Sequence, residues 1–196
     1  MTSGIEQTDL ALLWKAGLDP RDIRHSVHVA RKALELARRT GAGLDLDLVG
    51  RGALFHDLGK ALTHSYQHGE LGAEIGRKLG LPAELTDLME KHFHGGITPG
   101  EAAELGLRVR DYTPRRLEER IVIYADRLVD IITDGFVKLG DEREAEVRFE
   151  EILGKHPKYG KNQATVQRYL GYHREIQQLI AAAPAAGGAR EGRPEG

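Results

Sequence analysis

The chain contains no cysteine, which excludes disulfides and thiolate metal sites and leaves imidazole and carboxylate as the available metal donors. It also lacks an excess of positive charge: 28 Lys and Arg stand against 30 Asp and Glu, for a formal charge of -2 and a sequence pI of about 6.5. A broad surface neutralising many phosphates is therefore not expected, and neither is a duplex nucleic acid partner. No apolar run approaches the ~20 residues of a membrane span. The opening MTSGIEQTDLALLWKAG has neither the basic start nor the long apolar stretch of a leader. A cytoplasmic protein without membrane contact is the expectation. Strand-type alternation and internal repeats are missing as well.

What is present is a chain of 196 residues, 40% hydrophobic and 30% charged, within the size of one globular domain with a proper core. Apolar spacing at three and four residues, caps, and Gly/Pro punctuation read almost throughout as helix. Leu10, Leu13 and Trp14 form the stripe of a first helix that ends at Gly17. Asp19-Pro20 caps and opens a long second helix, stopped by Gly41. A third helix starts near Asp45 or Asp47 and runs into His56-Asp57-Leu58-Gly59-Lys60, where Gly59 permits a turn. Further helices are expected over Tyr66 to Leu79, Pro82 to His92, Glu142 to Leu153 and Gln163 to Ile180. Thr98-Pro99 and Thr113-Pro114 read as two more starts, the second opening a helix through Leu117, Ile121, Tyr124, Leu128 and Ile132. The fold class is all-α, a compact single-domain helical bundle over 1–181, with 182–196, rich in Ala, Gly and Pro, as a disordered tail.

Five of the nine histidines fall between His56 and His94. His56-Asp57 ends an apolar helical run, so two potential metal ligands sit where the backbone leaves the core. His25 and Asp126 are embedded in the apolar stripes of their own helices, and an unpaired carboxylate on such a face is costly. A divalent cation held by two imidazoles and two carboxylates would compensate it, with donors suited to Zn, Mn, Fe, Co or Ni rather than Ca. An ion pair of Asp126 with Arg127 or Arg31, with His25 capping a polar pocket, accounts for the pattern equally well.

Three ordered segments carry a resemblance: Arg24-His25-Ser26-Val27-His28-Val29-Ala30, Gly52-Ala53-Leu54-Phe55-His56-Asp57-Leu58-Gly59-Lys60, and Ile121-Val122-Ile123-Tyr124-Ala125-Asp126. Together they resemble the H…HD…D signature of the HD superfamily of metal phosphohydrolases, in its HDIG branch, over roughly residues 20 to 135. Leu58 stands where that branch has isoleucine. The resemblance implies His25, His56, Asp57 and Asp126 as ligands of a first metal, with His28 either at the surface or supporting them from behind. It implies His68 and His92 as ligands of a second metal, the ions being one or two of Mn, Fe, Ni, Co, Zn or Mg. Alternatively, His68 and His92 contact phosphate or cap helices in a mononuclear enzyme. HSYQHGELGAEI, EKHFHGGIT and DYTPRRLEERIVIYADRL are further similar to uncharacterised, mainly archaeal HDIG proteins. Gly95-Gly96-Ile97-Thr98 stands where the cyclic-di-GMP branch has Gly-Tyr-Pro, which points away from that substrate.

The activity implied is hydrolysis of a phosphomonoester or phosphodiester in a small nucleotide-like molecule by a metal-activated water. Asp57 would be ligand and orienter of the water, and Lys60 would hold a phosphate oxygen unless it is an ordinary exposed helix-end lysine. His64 and His94 are read as contacting the substrate or supporting the ligands, and Arg127 as a phosphate contact, for which an exposed side chain is the favoured reading. Two other classes stay open: a dinuclear-iron oxygenase of the same superfamily, and a non-catalytic metal-stabilised binding or regulatory module. Whether the chain forms a homo-oligomer is open too.

Overall fold

Helix-starting chemistry sets the architecture. In the computed structural model, which describes residues 6–137, 142–160 and 162–184, the Asp19 carboxylate accepts the Arg21 amide at 2.8 Å and Pro20 takes the first helical position. That start gives α2 (Pro20–Arg39), preceded by α1 (Gln7–Lys15). Asp45 accepts the amides of Asp47 and Leu48 and opens α3 (Leu46–Phe55), which passes into a 3-10 turn at Leu58–Ala61. Next come α4 (His68–Lys78), α5 (Ala83–Lys91) and α6 (Pro99–Glu104), the last begun by a reciprocal Thr98–Glu101 cap. The series ends with α7 (Leu117–Thr133), α8 (Glu142–Val147), α9 (Phe149–Lys155) and α10 (Gln163–Ala182). No strand occurs among the described residues, so the all-α helical bundle is as expected.

The centre is α7, packed against α2 and α3 and flanked by α8 and α10. Ile121, Val122, Tyr124, Ala125, Leu128, Val129 and Ile131 have no exposure, so this helix is covered on nearly every side. From α2 come Val29, Ala30, Ala33 and Leu36, and from α3 Val49, Ala53, Leu54 and Phe55, all fully buried. Each large apolar side chain so buried contributes about 1.5–3 kcal/mol. A polar residue within α7 therefore enters the middle of the molecule, and Asp126 is such a residue.

Four expectations need correction. Trp14 does not join the core stripe of α1; it is 57% exposed while Leu13 is fully buried. Thr113-Pro114 does not open α7. The Glu119 carboxylate accepts the amides of Arg115 and Arg116 at 2.5 and 2.8 Å, which places the start at Leu117, and Pro114 instead packs on Gly96. The single helix from Glu142 to Leu153 is two, broken at Arg148, whose guanidinium donates to the Phe136 carbonyl at 3.1 Å. Gly59 has no turn-type positive φ. It is small because a β-carbon there would lie 1.9 Å from the His68 carbonyl oxygen and 2.6 Å from the Gly72 amide of α4. Of the expected tail, Ala182 closes α10, and residues 185–196 lie outside the described residues.

Candidate metal centre

Five segments converge under one cavity of about 210 Å³. His25 comes from α2, His56 caps the end of α3, and Asp57 follows at φ -98, ψ 13 as the chain turns into the 3-10 segment. Asp126 projects from the middle of α7, while His68 begins α4 and His92 caps the end of α5. The close crossing at Gly59 fixes α4 against the turn that carries Asp57, and so brings His68 to it.

The two oxygens of Asp57 face different histidine pairs. Oδ2 lies 3.1 Å from His56 Nε2 and 3.7 Å from His25 Nε2. Oδ1 lies 3.4 Å from His68 Nε2 and 3.5 Å from His92 Nε2. Asp126 Oδ1 closes the first group, 2.9 Å from His25 Nε2 and 3.4 Å from His56 Nε2. Asp126 is thus beside imidazoles, and the alternative pairing with Arg127 or Arg31 is not formed. Arg31 is exposed, and Arg127 turns to Asp130 Oδ2 at 2.7 Å and the Tyr169 hydroxyl at 3.0 Å.

The imidazoles are set by their far nitrogens. Nδ1 of His56, His68 and His92 each lies 2.7 Å from the carbonyl three residues back, of Ala53, Ser65 and Met89. A carbonyl only accepts, so each Nδ1 carries a proton and each ring turns Nε2 inward, as a lone pair wherever the ring is neutral. Two such lone pairs, on His68 and His92, lie 3.0 Å apart. His56 Nε2 is fully buried without hydrogen-bond geometry to any partner. Inward lone pairs crowded on one carboxylate repel one another unless a proton or cation lies among them. This donor set fits a divalent cation. Three triads have ligand atoms within 4.8 Å of one another: His25, His56 and Asp57; Asp57, His68 and His92; His25, Asp126 and Asp130.

Without a cation among these groups, charge on His56 balances the two carboxylates. Burial opposes a charged His56, but the carboxylates of Asp57 and Asp126 more than reverse it and push the ring up to about 10. Burial likewise opposes the Asp57 anion, and His56 and its other neighbours hold it well below the usual carboxylate range; Asp126 behaves the same way beside His25 and His56. His68 is pushed down to about 4 by burial and by His92. Asp130, one turn beyond Asp126, is pushed up to about 6 by burial and by the Asp126 charge.

The remaining expected residues surround this cluster. Lys60 Nζ rests on Asp57 Oδ2 at 2.5 Å and is not an ordinary exposed lysine. His64 stands at the rim, bonded to Asp22 Oδ2 at 3.1 Å. His28 bonds Glu142 at 3.2 Å instead of entering the cavity. Arg127 lines the cavity, but its side chain is only 17% exposed, contrary to the exposed reading, because Tyr169 lies under the guanidinium at 4.9 Å. Sequence reasoning missed Asp130, Tyr66 and Phe93, which also line the cavity. For Asp130 a signal existed, since a carboxylate four residues after Asp126 shares its helix face.

A family model described as the HD domain matches residues 22–129, more than half of the chain. The chain belongs to the HD-domain family. Among its HD relatives, the uncharacterised protein MJ0778 of Methanocaldococcus jannaschii is 38% identical over 162 residues, covering 81% of this chain and 89% of that protein. A tRNA (cytidine(56)-2'-O)-methyltransferase of Thermoplasma volcanium is 33% identical over 89% of this chain, which spans only 47% of that enzyme's length. Ribonuclease Y of Pseudothermotoga lettingae is 42% identical over 38% of this chain and 14% of its own length. Among solved structures, the HD domain of the Listeria monocytogenes phosphodiesterase PgpH superposes with a TM-score of 0.57 at 20% identity, covering 90% of this chain and 97% of that one. The likeness establishes a shared fold. The same domain has also been solved in complex with cyclic-di-AMP. No helix among the described residues is long and apolar enough to cross a membrane.

Proposed function

We propose that this HD-domain protein is a metal-dependent phosphohydrolase that cleaves a phosphomonoester or phosphodiester bond of a small nucleotide-like substrate. Membership of the family and the His/Asp cluster support a divalent-metal hydrolase in general. The observation that carries the finer reading is Asp57, with one oxygen toward His25 and His56 and the other toward His68 and His92. A carboxylate so divided suits a role shared between two ions, the first held also by His25, His56 and Asp126, the second by His68 and His92. A divalent metal held by these residues would supply an activated water near neutral pH and would offset phosphoryl charge.

The chain's own groups do the rest. The Nδ1 bonds of His56, His68 and His92 lock three rings before any ligand arrives, so little reorganisation accompanies loading. Asp57, 2% exposed, accepts from whichever donors surround it and orients the nucleophile. Lys60 is within reach of Asp57 and lines the cavity, so its ammonium can move from that carboxylate to a phosphate oxygen. His64 and Arg127 line the same cavity and can contact the substrate, Arg127 with a direction fixed by Asp130 and Tyr169.

The test joins elemental analysis to turnover of nucleoside monophosphates, cyclic nucleotides and simple phosphoesters by metal-reconstituted protein. Asp57→Ala is expected to abolish turnover and most bound metal, whereas His94→Ala leaves metal content intact. Equal metal loss in both variants would refute the ligand assignment.

A further inference from the structure

The cavity over Asp57 has an aromatic end that phosphate hydrolysis by itself does not use. Tyr66, Phe93 and His94 line it beside His68 and His92. The Phe93 and His94 rings stack with centroids 3.8 Å apart and planes 23° apart. Tyr66 leans on both, at 5.4 Å and 5.8 Å. Phe93 also meets the His68 ring at 5.7 Å, nearly perpendicular. Behind it, Ile97, Ala102, Leu107 and Tyr112 form a small separate core against which Phe93 is seated. Tyr112, Tyr124, Tyr159 and Tyr169 are buried, yet Tyr66 is 47% exposed at the mouth of this cavity.

The backbone adds an independent observation. His94 has φ 50, the sole positive φ of a non-glycine residue among the described residues, and Gly95 and Gly96 follow at φ 75 and 83. Glycine would adopt the His94 conformation without strain, so the strain there keeps an imidazole in the stack. Left-handed backbone at a non-glycine residue concentrates at ligand sites.

We propose that Tyr66, Phe93 and His94 form a stacking subsite for a nucleobase, which narrows the substrate to nucleotides and nucleotide-derived phosphoesters and disfavours sugar or polyol phosphates. The inference rests on the phosphohydrolase reading for the position of the phosphate. The Phe93 ring meets the His68 ring at 5.7 Å, and His68 Nε2 lies 3.4 Å from Asp57 Oδ1, so the platform adjoins the cluster that would take the phosphate. Stacking engages the face that every base has, so the subsite selects for a base without choosing among bases.

The test compares adenosine 5'-phosphate with ribose 5-phosphate, each also as its methyl diester, using Mn2+-loaded protein. Wild type should prefer the base-bearing ester by about tenfold or more in kcat/KM. Tyr66→Leu and Phe93→Leu should each reduce that preference to about threefold or less, the loss falling on the base-bearing ester. Equal kcat/KM for the two esters in wild type, or a preference kept in both variants, overturns the subsite while the hydrolase reading stands. Turnover of no ester by metal-loaded protein would instead sink the hydrolase reading. In that case saturation-transfer NMR with metal-free protein decides the platform: transfer to adenine protons that Tyr66→Leu abolishes supports it, and absence of transfer overturns it. Should Phe93→Leu not fold, the half-exposed Tyr66 carries the comparison.

Discussion

Gly59→Ala tests how the fold positions the cluster. The added β-carbon would lie 1.9 Å from the His68 carbonyl oxygen, 2.6 Å from the Gly72 amide nitrogen and 2.7 Å from the His68 carbonyl carbon. All three are backbone atoms, so no side chain can swing away. Reaching the 3.4 Å of an ordinary contact requires α4 to retreat from the turn by roughly 1.5 Å. Its opposite side is closed: a β-carbon on Gly69 would already be 2.9 Å from the Met89 carbonyl, and one on Gly76 3.1 Å from Thr86. Overpacking without room to relax costs about 3 kcal/mol. For a chain of this size that lowers Tm by roughly 6–12 °C. Because the displaced helix carries His68 and the turn carries Asp57, the two-ion proposal expects the equivalent assigned to His68 and His92 to be lost while the other is kept. Calorimetry with elemental analysis measures both, with Gly43→Ala as control, since nothing lies within 4 Å of a β-carbon there. A Gly59→Ala protein that melts within about 2 °C of wild type with full metal content would refute the close-packing argument.

Two further outcomes follow from the ion pairs. Glu119→Ala removes the carboxylate that meets Lys91 at 2.8 Å and accepts the Arg115 and Arg116 amides, so urea unfolding should show a loss of about 3 kcal/mol. Adding Lys91→Met should recover part of it by removing a buried ammonium then left with Asp87 alone, and no recovery would mean the backbone cap carries the whole effect. Glu101, bonded by Arg168 at 2.7 and 2.9 Å, is held down at about 2 from its ordinary 4.5, chiefly by that hydrogen bond. A lowered carboxylate stabilises fully above its unfolded pKa, so this contribution is present above pH 4.5 and disappears as pH falls toward 2. Solvent screening limits it to about 1 kcal/mol. Arg168→Met should therefore flatten the acid-side loss of stability between those limits, and an unchanged acid profile would remove the pair from the account.

Helix content was legible because capping is local. Asp19-Pro20, Asp45 and Thr98-Pro99 each start a helix at or within a residue of the expected place, since the acceptor and the amides it satisfies are a few residues apart. Thr113-Pro114 carried the same local signal and misled. What decides the start of α7 is Glu119 reaching back to two amides, with Pro114 engaged by Gly96 from another part of the chain. The break at Arg148 has the same character, for its guanidinium bonds the Phe136 carbonyl, beyond the reach of any helical pattern. Gly59 was noticed in the sequence for a different reason from the one that operates, because close approach of two backbones is a property of the pair of segments.

In the site, what could be seen depends on how each group is held. His25, His56, Asp57 and Asp126 stand in apolar stripes where polar groups are out of place, and the structure gathers them within 3.7 Å contacts. Their convergence needed no knowledge of loops, since each lies on or at the end of a core helix. Asp130 also lies on a core helix, but a carboxylate three residues after Arg127 reads as half of a surface pair, and that pair does form, at 2.7 Å. Its spacing from Asp126 was the one local sign, and burial with the Asp126 charge, which together raise Asp130 to about 6, marks it as part of the cavity. Tyr66 and Phe93 lacked even that much. Their ring contacts join the segment before α4 to the segment after α5, and both helices must pack through Gly69, Gly72 and Gly76 before the aromatic wall exists. The candidate metal ligands are therefore written into single helices, whereas the surface that would choose the substrate is made by packing between them.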